Sequence, residues 1–384
     1  MQSQSFNTVR RIVFGVGALQ QIGEEIKRHQ GNRVLVVTDP GIKAAGLVDK
    51  MAAVLEKDGL AYHVFAEVES DPRVEVVAES VAAAKTFSPD IVVGFGGGSA
   101  LDISKVTSIM LTNNGVVEDY FGMEKVPSPG LPLILVPTTA GTGSEVTSIC
   151  VLSDTKNDVK NGIVSEYMFA RVALLDPELT VGLPPHVTAM TGMDAFVHAM
   201  ESYVGVRASF LTDTLNLQAI SMIAGNLRRA YANGHDIEAR TQMLQASCMA
   251  GMAFSNTQNG LDHALALAIG GRFHLPHGLL TAFISPWVMS FNLIACPEKF
   301  INIAEAFGEN TAGLSKMEAA GLAVKAVKSM LDDLGISYRL SSYNVPREAI
   351  PDLAKAAIGA ERLISNNPRR VSEADVIALL EANY

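Results

Sequence analysis

The strongest constraint on this 384-residue chain is a change of pattern at Leu183-Pro184-Pro185. Before that point, short β-branched runs alternate with helical segments. RVLVVTD (33–39), AYHVF (61–65), DIVVGF (90–95), LPLILVPTT (131–139) and RVALLDPEL (171–179) read as strands, and 44–58, 73–86 and 100–110 as helices. The alternation predicts a parallel sheet with helices on both faces. RRIVFGVGAL near the start reads as an edge strand feeding a short helix. After the prolines almost no strand pattern remains. Helical stretches follow at about 188–203, 213–230, 238–254, 260–270, 278–295, 297–307 and 315–334, separated by breakers such as Gly205, Gly234, Pro276, Pro297 and Gly335. The expected architecture is an α/β domain with a parallel sheet over residues 1–183 and an all-α domain over 184–384. The cleft between them is then the default ligand site.

Composition narrows the class. The chain is 48% hydrophobic and only 18% charged, enough for large cores. No apolar run reads as long enough to span a bilayer, and MQSQSFNTVRRIVFG lacks the apolar stretch of a secretory signal. Cys150, Cys248 and Cys296 are odd in number, far apart and outside any CxxC pair, so they read as reduced thiols of a cytoplasmic protein. A net charge of −10 argues against a nucleic-acid partner and against an anionic membrane surface. A small-molecule ligand remains.

Four residues carry chemistry in the second half. In TGMDAFVHAMES, Asp194 and His198 are four apart, on one side of a helix. His263 follows in LDHALALAIGG and His277 in LPHG. Scattered histidines are usually surface or hydrogen-bonded core residues. Here His198 and His263 lie among apolar neighbours, so a buried imidazole needs a partner. One carboxylate and three imidazoles together form an N₃O set that suits Fe²⁺, Zn²⁺ or a similar divalent ion. Asp262 and Glu201 are candidates for orienting the rings.

Two loops in the first half look built for an anion. Gly96-Gly97-Gly98-Ser99 stands between the strand DIVVGF and the helix ALDISK, where free N–H groups of a helix start bind phosphate. Ser99 is also a candidate helix cap. The third glycine of a full dinucleotide fingerprint is missing, and such a turn is often only a tight turn. The second loop, Pro137-Thr138-Thr139-Ala140-Gly141-Thr142-Gly143-Ser144-Glu145, concentrates hydroxyls and glycines at a strand's carboxyl end, where open α/β sheets bind ligands. Asp39, after the first clear strand, is placed to accept from a ribose and favour NAD over NADP, or simply forms an Asp-Pro-Gly turn. Lys160 in DVKNG is a ribose contact or a solvated lysine.

GGGSALDISK, PTTAGTGSEVT, TGMDAFVHAMESY and FHLPHG, in this order, resemble the iron-containing (group III) alcohol dehydrogenase family, which includes lactaldehyde reductases and 1,3-propanediol dehydrogenases. The resemblance runs from RIVFG to NNPRRVSEADVIALLEANY, essentially the whole chain. It implies a dehydroquinate synthase-like architecture, with an NAD-binding domain over 1–183 and a metal- and substrate-binding domain over 184–384. It implies a divalent metal, Fe²⁺ in most members, on Asp194, His198, His263 and His277. Pyrophosphate contacts fall on Gly97, Gly98 and Ser99, with Gly96 also in the NAD(H) site. The rest of the NAD(H) site falls on Asp39, Asp102, Thr138, Thr139, Thr142, Ser144, Val151 and Lys160. Phe254, Cys150 and Phe273 are candidate substrate-pocket residues. Many relatives are dimers or larger.

The expected reaction is reversible hydride transfer between NAD(H) and a small primary alcohol, diol or aldehyde. In many of these dehydrogenases a further histidine lies one helical turn after the third ligand. Here that position is Leu267, which leaves the proton route open, with His274 the nearby titratable alternative. Branches without that histidine include maleylacetate reductases and some sugar-alcohol oxidases. A dehydroquinate synthase-like lyase would need a strongly basic pocket, and only Arg272 stands near the site motifs. A non-catalytic NAD-binding protein would be marked by loss of a metal ligand, and all four are present.

Overall fold

A computed structural model describes residues 4–156 and 159–384. The chain divides into two compact units, one of Asn7–Leu183, the other of Pro184–Tyr384 together with the segment ending at Phe6.

The first unit is built on strands β1 (Ile12–Phe14), β2 (Arg33–Val37), β3 (Ala61–Phe65), β4 (Ile91–Gly96), β5 (Gly122–Met123), β6 (Leu133–Pro137), β7 (Ile149–Asp154), β8 (Val159–Val164) and β9 (Val172–Leu175). Six of them form one sheet in the order β1-β9-β6-β4-β2-β3, with every pairing parallel, as the alternation predicted. RRIVFG does supply an edge strand. Helices α1 (Ile22–Arg28), α2 (Pro40–Ala44), α3 (Leu47–Lys57), α4 (Val74–Phe87) and α5 (Gly98–Met110) lie between these strands in the chain. The unbroken apolar runs of β2, β4, β6 and β9 are explained by burial, since Val34–Val37, Ile91–Val93 and Ile134–Val136 have no exposed surface. Sheets covered on both faces need such runs.

Two features depart from the expected strands. The run read as 171–179 is a strand only to Leu175, and Pro177–Thr180 turns into a 3₁₀ helix capped by Asp176. A proline cannot donate to the ladder, so the strand stops there. Residues 149–154 and 159–164, unassigned in the sequence, form the antiparallel pair β7–β8, with β5 beside β8, as a second sheet.

The second unit is helical: α6 (Pro185–Val204), α7 (Phe210–Ala232), α8 (Ile237–Thr257), α9 (Leu261–Phe273), α10 (His277–Asn292), α11 (Pro297–Ala306), α12 (Lys316–Asp333), α13 (Ile350–Gly359), α14 (Glu361–Ile364) and α15 (Glu373–Ala382). Their starts follow capping chemistry. Pro185 occupies the first turn of α6, Asp236 caps α8, and Ser315 with Glu318 forms a capping box at α12. One segment departs from the expected absence of membrane-length runs. His277–Ala295, α10 and its short extension, is long and apolar enough by length and composition, with mean hydropathy 1.5. About two-thirds of it (67%) is buried, because Leu280, Phe283, Ile284, Trp287 and Val288 form the centre of the helical unit.

Candidate metal centre and dinucleotide loops

The metal-ligand candidates come from three packed helices. Asp194 and His198 lie on α6, His263 in the first turn of α9, and His277 at the first residue of α10. Gly278 lets α10 approach α6 closely, since a Cβ there would stand 2.7 Å from the Met190 carbonyl oxygen. One ligand atom each from Asp194, His263 and His277 lie within 4.8 Å of one another. His198 joins them through Nδ1, 3.9 Å from Asp194 Oδ2. Its ring is stacked between Phe254, at 4.2 Å and 16°, and His263, at 4.7 Å and 27°. All four candidates are thus brought together, with Phe254 against them.

Glu201, one helical turn beyond His198, fixes the third imidazole. Its buried carboxylate accepts from Gly260 N (2.9 Å), Asp262 N (2.6 Å) and His263 Nδ1 (2.7 Å). With Nδ1–H committed to Glu201, the lone pair of His263 is on Nε2. That atom is buried and has no hydrogen-bond partner. A buried, unpartnered imidazole nitrogen 4.0 Å from Asp194 Oδ1 is what a metal site leaves in the protein chain. The donor set therefore fits a divalent cation. Thr281 Oγ1 donates to Asp194 Oδ1 at 3.0 Å. Burial works to raise the Asp194 carboxyl, but His198, His277, His263 and Thr281 outweigh it and hold it below the usual range.

Asp262 and Glu201 had equal claims from sequence. The fold gives Glu201 three donors and Asp262 none: both Asp262 oxygens are buried and unpartnered, and burial with Glu201 and Asp194 pushes its carboxyl well up. Leu267 is half-buried one turn after His263. His274 is exposed at the left-handed C-cap of α9, and Phe273 lies half-buried before it. Cys150 belongs to the other unit, in β7, where its thiol is fully buried and held neutral by that burial.

In the α/β unit the dinucleotide candidates gather at the carboxyl ends of three adjacent strands. Gly96 of β4 pairs with Pro137 of β6, which puts both loops side by side. A Cβ at Gly98 would stand 2.7 Å from Thr142 Cγ2, so only glycine permits this packing. Asp39 follows the neighbouring β2 and lies 3.0 Å from where a Gly96 Cβ would be. It caps α2 by accepting from Ile42 N at 3.0 Å. Ser99 does not cap α5. The N-cap is Gly97, without a side-chain bond, so the helix start keeps N–H groups without a side-chain partner at the glycine turn. That arrangement suits a pyrophosphate. The Thr138 hydroxyl is buried and unpartnered, while Thr142 Oγ1 accepts from Ser144 N at 3.3 Å. Lys160 on β8 is neither solvated nor alone, since its Nζ lies 2.6 Å from Asp71 Oδ1.

Lys105 had no sequence signal. It is buried on α5 and donates to Ser144 Oγ (2.7 Å), Thr147 Oγ1 (3.0 Å) and the Ile149 carbonyl (2.7 Å). Asp102 lies 3.6 Å away and accepts from Ser144 Oγ (2.6 Å) and Val151 N (2.9 Å). Asp102, Ser144 and Val151, expected at the cofactor, thus also bolt the threonine loop to the helix of the glycine turn. Glu145 beside them is buried, and burial raises its carboxyl to about 7 against the opposing effects of a backbone hydrogen bond and Lys105. Its neutral form is favoured on folding. The associated stability is therefore complete at low pH and lost as pH rises through 7. Glu145→Gln is expected to be more stable than wild type at pH 8, on the order of 2 kcal/mol, and no more stable at pH 4, measured by chemical denaturation.

Comparison with known proteins agrees over the whole length. Residues 9–177 match "Iron-containing alcohol dehydrogenase", and residues 188–384 match "Fe-containing alcohol dehydrogenase family, C-terminal". The chain is 47% identical to a sulfoacetaldehyde reductase of Bilophila wadsworthia, covering 98% of each chain. It is 42% identical to the 1,3-propanediol dehydrogenase of Citrobacter freundii, covering 97% of this chain and 96% of that one. A crystal structure of a 1,3-propanediol oxidoreductase superposes with a TM-score of 0.98 at 38% identity over 100% of both chains. A sulfoacetaldehyde reductase of Bifidobacterium kashiwanohense, solved with NAD⁺, gives 0.90 at 27% identity over 100% of this chain and 99% of that one. With both family models matched and identities of 47% and 42% to two relatives over nearly the whole chain, this chain belongs to the iron-containing alcohol dehydrogenase family.

Proposed function

We propose that Asp194, His198, His263 and His277 hold the metal of this dehydrogenase, and that the loops around Gly97 and Thr139 hold its NAD(H). The chain is an NAD-dependent, metal-dependent oxidoreductase that interconverts a small primary alcohol or diol and its aldehyde. The observation that carries the metal assignment is His263 Nε2, buried without a partner beside the Asp194 carboxylate. A divalent ion there supplies Lewis-acid polarisation of a substrate oxygen, and NAD(H) supplies the hydride.

The residues themselves have separable tasks. Glu201 keeps the His263 lone pair on Nε2. Phe254 and His263 fix the plane of His198. Thr281 orients the Asp194 carboxylate. In the α/β unit, the start of α5 is read as the pyrophosphate site and Asp39 as a ribose acceptor that disfavours a 2′-phosphate. Lys160, held by Asp71, is read as a second ribose contact. The free cysteines accord with a cytoplasmic enzyme, and we read the working species as a homodimer or larger.

Within the aldehydes, a sulfonated one is favoured by the 47% identity to a sulfoacetaldehyde reductase. The test is NADH oxidation by iron-reloaded protein across propanal, lactaldehyde, 3-hydroxypropanal and sulfoacetaldehyde. NADH consumption that needs iron is the expected result. Equal rates in chelated and iron-loaded protein would overturn the metal assignment, and light scattering reads the oligomer.

A further inference from the structure

Arginines of the helical unit are for the most part visibly satisfied. Buried Arg240 donates to the Gly234 carbonyl and to Thr188 Oγ1. Arg228, Arg229, Arg272 and Arg347 each meet a carboxylate, and Arg369 bonds the Phe291 carbonyl. Arg362 is different. It is half-buried on α14, and among the described residues its side chain makes no hydrogen bond and no ion pair. Burial and the neighbouring Arg207 both disfavour its charge, with no carboxylate opposing them. A guanidinium partly withdrawn from water without an acceptor carries a cost, and its five donors suit a planar or tetrahedral oxyanion.

Its place in the fold gives that cost a purpose. α14 packs on α9, the helix of His263. One turn after Arg362, Asn366 Nδ2 donates to the carbonyls of Gln258 (2.9 Å) and Asn259 (3.2 Å), immediately before α9. The next residue, Asn367, exchanges two hydrogen bonds with Asn292 of α10, at 2.7 and 2.8 Å, and lies against Gly260. Gly260 N in turn donates to Glu201, the carboxylate that holds His263. The loop after α6 closes the same corner, where Val206 N and Arg207 N donate to Asn366. The segment after Arg362 is therefore fixed to the loop after α6, the loop before α9 and the C-terminal end of α10.

From this geometry we propose that Arg362, with Arg207 adding positive potential, is a specificity-determining residue that binds an anionic head group, a sulfonate, on the aldehyde substrate. This rests on the reading of the chain as an aldehyde-reducing enzyme given above. A sulfonate offers three acceptor oxygens to the fork of the guanidinium and supplies the missing counter-charge. A neutral aldehyde of the same size leaves that half-buried guanidinium unpaired, so the site favours the charged substrate.

The test compares wild type with Arg362→Ala and Arg362→Lys, each loaded with iron and assayed with NADH on sulfoacetaldehyde, succinic semialdehyde and propanal. Arg362→Ala is expected to lower kcat/KM for sulfoacetaldehyde by about 100-fold, mostly through KM, and to leave propanal within about twofold. Arg362→Lys keeps the charge and should fall between. Succinic semialdehyde tells a sulfonate site from a general anion site, and a wild type that prefers the carboxylate overturns the sulfonate assignment. Equal losses on propanal and sulfoacetaldehyde, or no loss on the latter, overturn the proposal. Calorimetry of unreactive ethanesulfonate with the NAD complex gives a readout independent of turnover. Binding by wild type and not by Arg362→Ala supports the proposal, and no binding by wild type overturns it. A wild type that reduces propanal but not sulfoacetaldehyde sinks this inference alone. A wild type that reduces no aldehyde sinks the parent reading, and ethanesulfonate binding still decides the anion site.

Discussion

His263→Ala should purify without iron and with kcat lower by about 10³-fold or more, because a lost Lewis acid removes several kcal/mol of transition-state stabilisation. The mutation deletes the one buried side-chain nitrogen that, among the described residues, has no hydrogen-bond partner. It spares the fold, because Glu201 still accepts from Gly260 N and Asp262 N. Added iron should not restore turnover. Glu201→Gln makes the informative contrast. A glutamine offers one acceptor oxygen where the native carboxylate serves three donors, so the His263 ring loses its anchor but keeps its nitrogen. Iron affinity should fall by about 10- to 100-fold, with kcat recovering at high iron. Metal content by atomic absorption, read beside kcat, checks both. An alanine variant with full iron and full turnover would remove His263 from the metal centre.

Lys105→Met should cost about 3–5 kcal/mol, the usual penalty for stranding one partner of a buried ion pair. Asp102 would keep its bonds from Ser144 Oγ and Val151 N but lose its counter-charge. Ser144, Thr147 and the Ile149 carbonyl would all lose their shared donor. The loop they anchor carries Thr138, Thr139 and Thr142. NADH affinity, measured by fluorescence titration, is therefore expected to weaken about tenfold or more, since a loop no longer pre-organised must be ordered on binding. Iron content should not change, because the metal-ligand candidates belong to the other compact unit. If urea denaturation and NADH titration both match wild type, the network has no such role. The double variant Asp102→Asn with Lys105→Met removes both charges and should recover part of the stability but not the NADH affinity.

These two predictions mark where sequence reading succeeded and where it stopped. Asp194 and His198 were legible as a pair because four residues make one helical turn whatever surrounds them. The glycine turn was legible because only a strand-to-helix junction needs three small residues in that place, and its register with the threonine loop followed from the parallel sheet. Ser99 was misread as a cap because any serine near a helix start satisfies that pattern. The backbone instead begins the helix at Gly98, with Gly97 as the N-cap. The β7–β8 pair went unread because its strands carry polar and charged residues and pair mainly with each other.

By itself the sequence determined the fold class and the division at Leu183-Pro184, and it singled out the four metal-ligand candidates. Those depend on local periodicity, breakers and residue chemistry, which a chain displays in one dimension. Only the tertiary structure decided which buried groups have partners. Glu201 rather than Asp262 holds His263, Lys160 meets Asp71, Lys105 meets the threonine loop, and among the described residues Arg362 meets no acceptor. Desolvation acts on every polar group alike, and whether a donor or counter-charge arrives to offset it depends on residues tens of positions away.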